Sequence, residues 1–203
     1  MCIRDSSGSE AGNALADVVF GAVNPSGKLP FTFPVRLEDN GAHALGEYPG
    51  ADKVKYNESI FVGYRWHDKE QLKPLFAFGH GLSYTAFAVG NVKADRTTLA
   101  PNGSIRISAD VTNTGDRAGA EVVQLYIGDE QSSLPRPVKE LKGFQKVSLN
   151  PGQTRTVTFE ITPGMLQYYD DAKGAWVAEP GAFTAYVGAA SDDIRGTVEF
   201  ELK

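Results

Sequence analysis

The second half of the chain alternates apolar and polar residues in a way that predicts β-strands. Runs in which every second residue is apolar occur at 104–111, 123–127, 156–161, 183–187 and 198–202. Successive side chains of a strand point to opposite faces of a sheet, so each run predicts one buried and one solvated face. Turn signals separate the runs: Asn102-Gly103, Asn113-Thr114-Gly115, Asn150-Pro151-Gly152 and Pro180-Gly181. Roughly seven short strands in about a hundred residues are typical of an immunoglobulin-like β-sandwich.

A short helix is predicted near the start of the chain, from Glu10 to Phe20. Its apolar residues recur at the spacing of one helix face: Ala11, Ala14, Leu15, Val18 and Val19. Ser9 is the expected N-cap, and Gly21 the expected residue just past the last turn. A helix of this length is marginal by itself, so its apolar face needs a packing partner.

The rest of the first part is irregular. Residues 24–27 (Asn-Pro-Ser-Gly) predict a turn, and the prolines in 28–34 restrict that segment to an edge or irregular strand. Residues 36–55 are polar and weakly patterned, which predicts a long surface loop. Residues 59–66 are strand-like, and 76–84 form a glycine-interrupted aromatic linker that we expect to pack against its surroundings.

Four segments, in this order, resemble family 3 glycoside hydrolases of the β-glucosidase type. They are Gly12-Asn13-Ala14-Leu15-Ala16-Asp17 followed by Asn24-Pro25-Ser26-Gly27-Lys28-Leu29-Pro30; Tyr56-Asn57-Glu58 followed by Val62-Gly63-Tyr64-Arg65; Pro74 to Phe87; and Arg136 to Phe144 followed by Leu149 to Gln153. The first resembles the end of the family's second, α/β domain, the third its hinge, and the fourth the signature of its fibronectin type III-like module. Each segment is a weak pattern alone, and their order makes the resemblance specific.

The resemblance implies a mainly β fold. We expect an immunoglobulin/fibronectin type III-like β-sandwich at residues 86–203, preceded at residues 7–85 by the C-terminal remnant of an α/β sandwich domain and a linker. Residues 1–6 fit neither a helix start nor the family pattern, so we interpret them as a non-native start.

For activity, the resemblance implies retaining hydrolysis of terminal, non-reducing β-D-glycosidic bonds in carbohydrate metabolism, most of all of β-glucosides. That chemistry uses a nucleophile and a general acid/base about 5 Å apart. In the family the nucleophilic aspartate and the acid/base glutamate both precede the stretch that begins here near Gly8. We therefore predict no catalytic residue in this chain, no cofactor and no metal. The chain alone is expected to be inactive and structural, and β-linked oligosaccharide or glucoside substrates are expected to bind through the missing domains.

Several carboxylates could in principle form a pair of their own. Glu47, Glu58 and Asp68 lie in the loop-rich first part, but an acid would need a raised pKa that sequence does not reveal. Salt-bridged or solvated roles are the favoured interpretation. Glu58 and Arg65 both belong to family-like motifs, and we predict that they form a structural ion pair.

The histidines and glycines give no cofactor or metal signal. His43, His67 and His80 lack metal-ligand spacing, and we expect His80 to donate hydrogen bonds within its turn. Residues 79–84 partly resemble a dinucleotide loop but lack the third glycine and a following helix.

A rival hypothesis is a non-catalytic carbohydrate-binding or cell-surface interaction module. Trp66, Tyr168, Tyr169 and Trp176 are its candidate sugar platforms, although aromatic residues in a sandwich more often belong to the core. It predicts a row of exposed aromatics on one sheet face, while the apolar helix argues against it. Residues 36–55 are either a plain surface loop or part of an active-site rim in the intact enzyme.

Composition limits the classes of binding partner that we expect for this chain. A net charge of −5 without acidic or basic blocks favours neither nucleic acid nor an anionic membrane. The single cysteine, Cys2, allows no internal disulfide, and no signal peptide or membrane span is recognisable. A periplasmic or secreted bacterial location is favoured over the cytoplasm. The sugar specificity and the oligomeric state remain open.

Overall fold

The computed structural model describes residues 8–50 and 52–203, and is mainly β. The helices are α1 (Ala11–Val19), α2 (Gly41–Ala44), α3 (Tyr64–Lys69) and α4 (Pro163–Leu166), with a 3-10 turn at Leu37–Asp39. The strands are β1 (Phe87–Ala94), β2 (Thr98–Leu99), β3 (Ile105–Asn113), β4 (Gly119–Asp129), β5 (Glu140–Leu149), β6 (Thr154–Ile161), β7 (Tyr168–Asp170), β8 (Ala175–Val177), β9 (Gly181–Ala190) and β10 (Asp193–Leu202). We call residues 8–85 the leading segment and residues 86–203 the sandwich; this division stays a prediction, and the proposed non-native start lies outside the described residues.

The sandwich consists of two sheets. One has the order β1-β3-β6 and the other β2-β10-β9-β4-β5; all pairs are antiparallel except β2 with β10. A separate hairpin, β7-β8, stands beside them. The predicted β-sandwich is therefore confirmed.

The core lies between the two sheets, where the alternation predicted it. In β3 the residues at 105, 107, 109 and 111 are all buried, and β6 repeats the pattern, whereas β9 is buried along most of its length. Strand β4 departs from simple alternation, because Gln124 and Tyr126 are buried as well as their apolar neighbours. The second face of β4 is covered by the leading segment, in which Gly79 O accepts a hydrogen bond from Gln124 Nε2 (3.3 Å). A strand covered on both faces has no solvated side to alternate with.

Helix α1 forms where it was predicted, one residue shorter at each end. Glu10 occupies the N-cap position without a side-chain hydrogen bond, so the expected cap at Ser9 is wrong. Gly21 follows the helix with φ +78°, the left-handed conformation expected of it. No residue of α1 is buried in the structure, and Leu15 and Val19 are largely exposed.

Two local predictions are corrected. Residues 36–55 are not a plain loop, because Arg36 and Asp39 cap the 3-10 turn and Asn40 Oδ1 accepts a hydrogen bond from the Ala42 amide (3.2 Å) at the start of α2. Residues 59–66 are a turn followed by α3 instead of a strand. The backbone at Gly63 has φ +58°, which is incompatible with an extended chain.

Residues 28–34 and 76–84 run beside each other as an irregular pair. The Leu29 amide donates to His80 O, and the Gly79 amide donates to Leu29 O, each at 2.8 Å. Phe33 and Phe76 form an isolated antiparallel bridge. This agrees with the irregular strand that the prolines predicted. In the part of the chain that the structure describes, no helix is long and apolar enough to cross a membrane.

Candidate functional site

The three candidate carboxylates, Glu47, Glu58 and Asp68, lie in different surroundings. Asp68 Oδ2 lies 2.6 Å from Lys139 Nζ, so its charge is neutralised by the sandwich. Glu47 accepts a hydrogen bond from the Asn57 side-chain amide. Glu58 has a buried Oε2 without a hydrogen-bond partner among the described residues. Asp68 and Glu47 are thus each engaged by a side chain of the chain itself.

The predicted ion pair between Glu58 and Arg65 is wrong. Arg65 Nη2 instead lies 3.2 Å from Glu140 Oε1, at the start of β5. Arg65 thus joins α3 to the sandwich, and its partner is 75 residues away in sequence. A local motif could not reveal a pairing that depends on how the two parts of the chain dock.

Helix α3 is one point of contact between the leading segment and the sandwich. The Tyr64 hydroxyl accepts a hydrogen bond from the Leu141 amide (2.9 Å), and its ring packs edge-on against Tyr126 with centroids 5.7 Å apart. The same ring lies 5.1 Å from that of Phe78. Because Tyr64 fills the junction and also caps a β5 amide, α3 is fixed on the face of β4 and β5.

A cluster of buried charges lies under this contact. Arg136 Nη1 lies 2.9 Å from Asp129 Oδ2, and Arg136 Nη2 lies 2.7 Å from Glu140 Oε2. Lys142 Nζ approaches Glu140 at 3.3 Å. The Arg136 side chain is only 7% exposed, which leaves its guanidinium dependent on these partners.

Glu140 is the shared anion of that cluster. Burial alone would raise the pKa of the Glu140 carboxyl, but the positive charges of Lys142, Arg136 and Arg65 together hold this pKa below its ordinary value. For Lys142 burial dominates, and it lowers the pKa of the ammonium group despite the attraction of Glu140. Through the contacts of Glu140 with Arg65 and Arg136, the cluster serves as a structural anchor between α3 and β5.

The hinge between the two parts is held by side-chain amides. Asn24 Nδ2 donates to Ala118 O (3.0 Å), while Asn24 Oδ1 accepts from Ser83 Oγ and from the Tyr84 amide, each at 2.9 Å. A Cβ on Gly79, whose φ is +82°, would overlap with the side-chain amide of Gln124. Glycine is thus required at position 79 because residues 76–84 approach β4 closely there.

The histidines occupy structural positions. His67 is buried, and its Nδ1 lies 3.0 Å from Gly63 O, so Nδ1 carries the donated hydrogen. The His80 ring lies 5.2 Å from that of Phe76, and the expected hydrogen bond in its turn comes from the His80 backbone amide to Ala77 O. Among residues 8–50 and 52–203 no group of three or more His, Cys, Asp or Glu side chains could hold a metal ion.

The candidate sugar platforms separate into two groups. Trp66 is buried, as a core residue would be. Tyr169 and Trp176 are 49% and 66% exposed, and they face each other across the β7-β8 hairpin. Tyr168 is half-buried, and the exposed aromatic residues of the sandwich among those described are this hairpin pair and Phe144 on β5, instead of the row on one sheet face that the rival hypothesis predicts.

Two family models match separate parts of the chain. Residues 5–84 match the family model described as "Glycosyl hydrolase family 3 C-terminal domain", and residues 121–191 match "Fibronectin type III-like domain". Among curated proteins, β-glucosidase BoGH3A of Bacteroides ovatus is 54% identical over 197 residues, covering 96% of this chain. Thermostable β-glucosidase B of Acetivibrio thermocellus is 48% identical over 188 residues.

Solved structures agree with these relatives. A family 3 β-glucosidase of Bifidobacterium adolescentis superposes with a TM-score of 0.87 at 38% identity, over 94% of this chain and 28% of its own. The β-glucosidase of Kluyveromyces marxianus, solved in complex with glucose, also gives 0.87, at 43% identity over 97% of this chain and 23% of its own. The chain spans about a quarter of the length of the curated relatives, namely 26% of BoGH3A and 25% of the A. thermocellus protein.

Proposed function

We propose that this chain is the C-terminal part of a family 3 glycoside hydrolase and that it serves a retaining β-glucosidase as a structural unit. The whole protein would hydrolyse terminal, non-reducing β-D-glucosidic bonds with two carboxylates. The chain would complete the α/β domain and hold it in place, contributing neither the nucleophile nor the general acid/base. The two relatives described above are β-glucosidases that match almost the entire length of this chain, which supports the choice of reaction.

The observation that carries this role is the unequal distribution of exposed apolar side chains. Eighteen of the 23 large hydrophobic side chains that are exposed in the described residues precede Thr85, whereas only Trp66 and Ala77 of the buried apolar residues do. A water-soluble domain does not leave so much apolar surface uncovered without a partner. The leading segment therefore has the character of one layer of a larger domain.

Helix α1 and the loops after it provide the uncovered surface. Leu15 and Phe20 are 65% and 87% exposed, and Tyr56 is 79% exposed. Apolar area of this kind contributes roughly 25 cal/mol for each Å² removed from water. The remaining α/β domain of the longer protein is the occupant that we propose, because the matching family model describes residues 5–84 as part of a C-terminal glycosyl hydrolase domain.

The sandwich supports the leading segment. It has its own core of buried residues between two sheets. It contacts the leading segment at α3 and at the hinge. Lys28 Nζ lies 2.7 Å from Glu121 Oε1, and Lys139 pairs with Asp68, so ion pairs join the two parts at both ends of β4 and β5. A rigid support of this kind would fix loops such as residues 36–55 relative to a substrate.

A chimera tests this role. The matching C-terminal segment of BoGH3A is replaced by residues 7–203, and release of p-nitrophenol from p-nitrophenyl β-D-glucoside is measured beside intact BoGH3A and a form that lacks the segment. We expect the chimera to retain β-glucosidase activity and the deletion to lose it. A deletion form that turns over substrate like intact BoGH3A would contradict a structural role for this part, and a folded but inactive chimera would contradict its fit to a β-glucosidase.

A further inference from the structure

A cleft bordered by both parts of the chain lies beside the β7-β8 hairpin and has a volume of about 730 Å³. We call it the hairpin cleft. Its walls come from the hairpin, from residues 134–137, from the start of β5, and from residues 59–61 with Arg65. The mechanism expected of the family uses none of these side chains.

Two exposed aromatic residues form one wall. Tyr169 and Trp176 are directly paired across the hairpin, with ring centroids 5.6 Å apart and planes at 71°. In the sandwich they are two of only five exposed large hydrophobic residues among those described, and Leu134, a third, lines the same cleft. Rings that are rigid, apolar and open to solvent are suited to stack on the apolar faces of sugar rings.

The opposite wall offers hydrogen-bonding groups of both kinds. There Arg65 and Lys142 supply donors and Glu140 supplies acceptors, while Asp171, in the turn of the hairpin, adds a further acceptor. The Arg136 guanidinium at the base is already neutralised by Asp129 and Glu140. Because the charges nearly balance, the cleft favours an uncharged polyhydroxylated ligand over a polyanion or a cationic peptide.

The cleft is also pre-formed. The buried Asp170 carboxylate accepts the amide hydrogens of Ala172 (3.0 Å) and Lys173 (3.2 Å), which fixes the tip of the hairpin. Pro135 and Pro137 restrict the backbone on the facing side. A site whose walls are already ordered loses little entropy when a ligand binds.

We propose that the hairpin cleft binds a neutral β-linked gluco-oligosaccharide, with Trp176 and Tyr169 stacking on its sugar rings and the charged wall bonding its hydroxyl groups. The choice of β-linked glucose rests on the proposed function, whereas the choice of a neutral oligosaccharide rests on the cleft itself. The competing occupant is the rest of the longer polypeptide, which would leave the free chain without affinity for sugar.

Tryptophan fluorescence tests the proposal, because the chain has only two tryptophans and Trp66 is 6% exposed. The 203-residue chain is titrated with cellopentaose, and with maltopentaose as the α-linked comparison. We expect a saturable change in emission and protection of Trp176 from acrylamide quenching, stronger with cellopentaose.

Variants distinguish the cleft from other surfaces. Tyr169→Ala is expected to weaken cellopentaose binding by at least about tenfold, as the loss of a contact residue would. Trp176→Phe, which keeps a stacking ring, should retain binding when this is followed by calorimetry, and Trp176→Ala should lose it. Phe144→Ala, which removes a 67% exposed ring outside the cleft, should bind like the original chain.

The absence of any response to cellopentaose in the folded chain would overturn the proposal and assign the cleft to protein contact. Binding that survives Trp176→Ala unchanged would overturn it as well. Neither result depends on the activity of the BoGH3A chimera, since sugar binding is measured without catalysis. Failure of the chimera would in turn affect only the choice of a β-glucan as the ligand.

Discussion

Arg136 shows how single residues join the parts of this molecule. Its guanidinium holds Asp129 and Glu140 and also donates to Leu166 O at 3.0 Å, with only 7% of the side chain exposed. Glu140 also forms an ion pair with Arg65 of the leading segment. Removing the arginine would leave two buried carboxylates without their main partner.

We therefore expect Arg136→Ala to lower the free energy of unfolding by about 3 kcal/mol, the cost typical of breaking a buried pair from one side. Urea denaturation of the 203-residue chain measures it. Arg96→Ala is the matched control, because Arg96 pairs with its neighbour Asp95 on the surface with 59% of its side chain exposed, and such pairs contribute at most about 1 kcal/mol. Equal small losses in the two variants would show that the cluster is not a structural anchor.

Among the helices and strands, α1 is the element whose apolar face has no packing partner among the described residues. Its apolar face was readable from the spacing of its alanines, leucine and valines, and the structure leaves that face uncovered. Packing of an amphipathic face, more than propensity, stabilises a helix of nine residues.

Leu15→Gln should consequently change the unfolding free energy of the free chain by less than about 0.5 kcal/mol, as exposed substitutions do. In the BoGH3A chimera the same change should lower thermal stability, because it would place a polar amide in a covered interface. Leu125→Ala, in the sandwich core with no exposed surface, is the control and should cost about 2–5 kcal/mol in the free chain. A chimera indifferent to Leu15→Gln would mean that α1 is not covered there.

The elements also show what the sequence could and could not reveal. The sandwich strands were predictable because one buried face imposes a period of two. Residues 59–66 carry the same period, with Ile60, Val62, Tyr64 and Trp66 apolar, yet Gly63 takes a positive φ and α3 begins after it. The glycine was the available signal against a strand.

Contacts between residues that are distant in sequence could not be predicted for a different reason. Arg65 was assigned to Glu58, in a neighbouring motif, but it binds Glu140, which the docking of α3 on β5 brings close. The hairpin cleft was missed likewise, since its walls combine residues 59–65, 134–142 and 167–176. Only the tertiary arrangement brings these segments together.

For the molecule as a whole, the uneven core predicts uneven stability. Hydrogen exchange followed by mass spectrometry should show strong protection of amides in β3 and β9 and little protection before Thr85, with α1 exchanging fastest. Opening free energies follow buried apolar contacts, and the leading segment has few of them in the described residues. Equal protection throughout would mean that the leading segment is a self-sufficient domain.

We propose that this chain supports catalysis in a longer protein without performing it. The most direct test is p-nitrophenol release from aryl β-glucoside, β-xyloside and α-arabinofuranoside by the purified, folded 203-residue chain. We expect no turnover of any of the three, because Asp68 is paired with Lys139 and Glu47 accepts a hydrogen bond from Asn57. Turnover that disappears in Glu47→Gln, Glu58→Gln or Asp68→Asn would instead place a catalytic carboxylate within the chain.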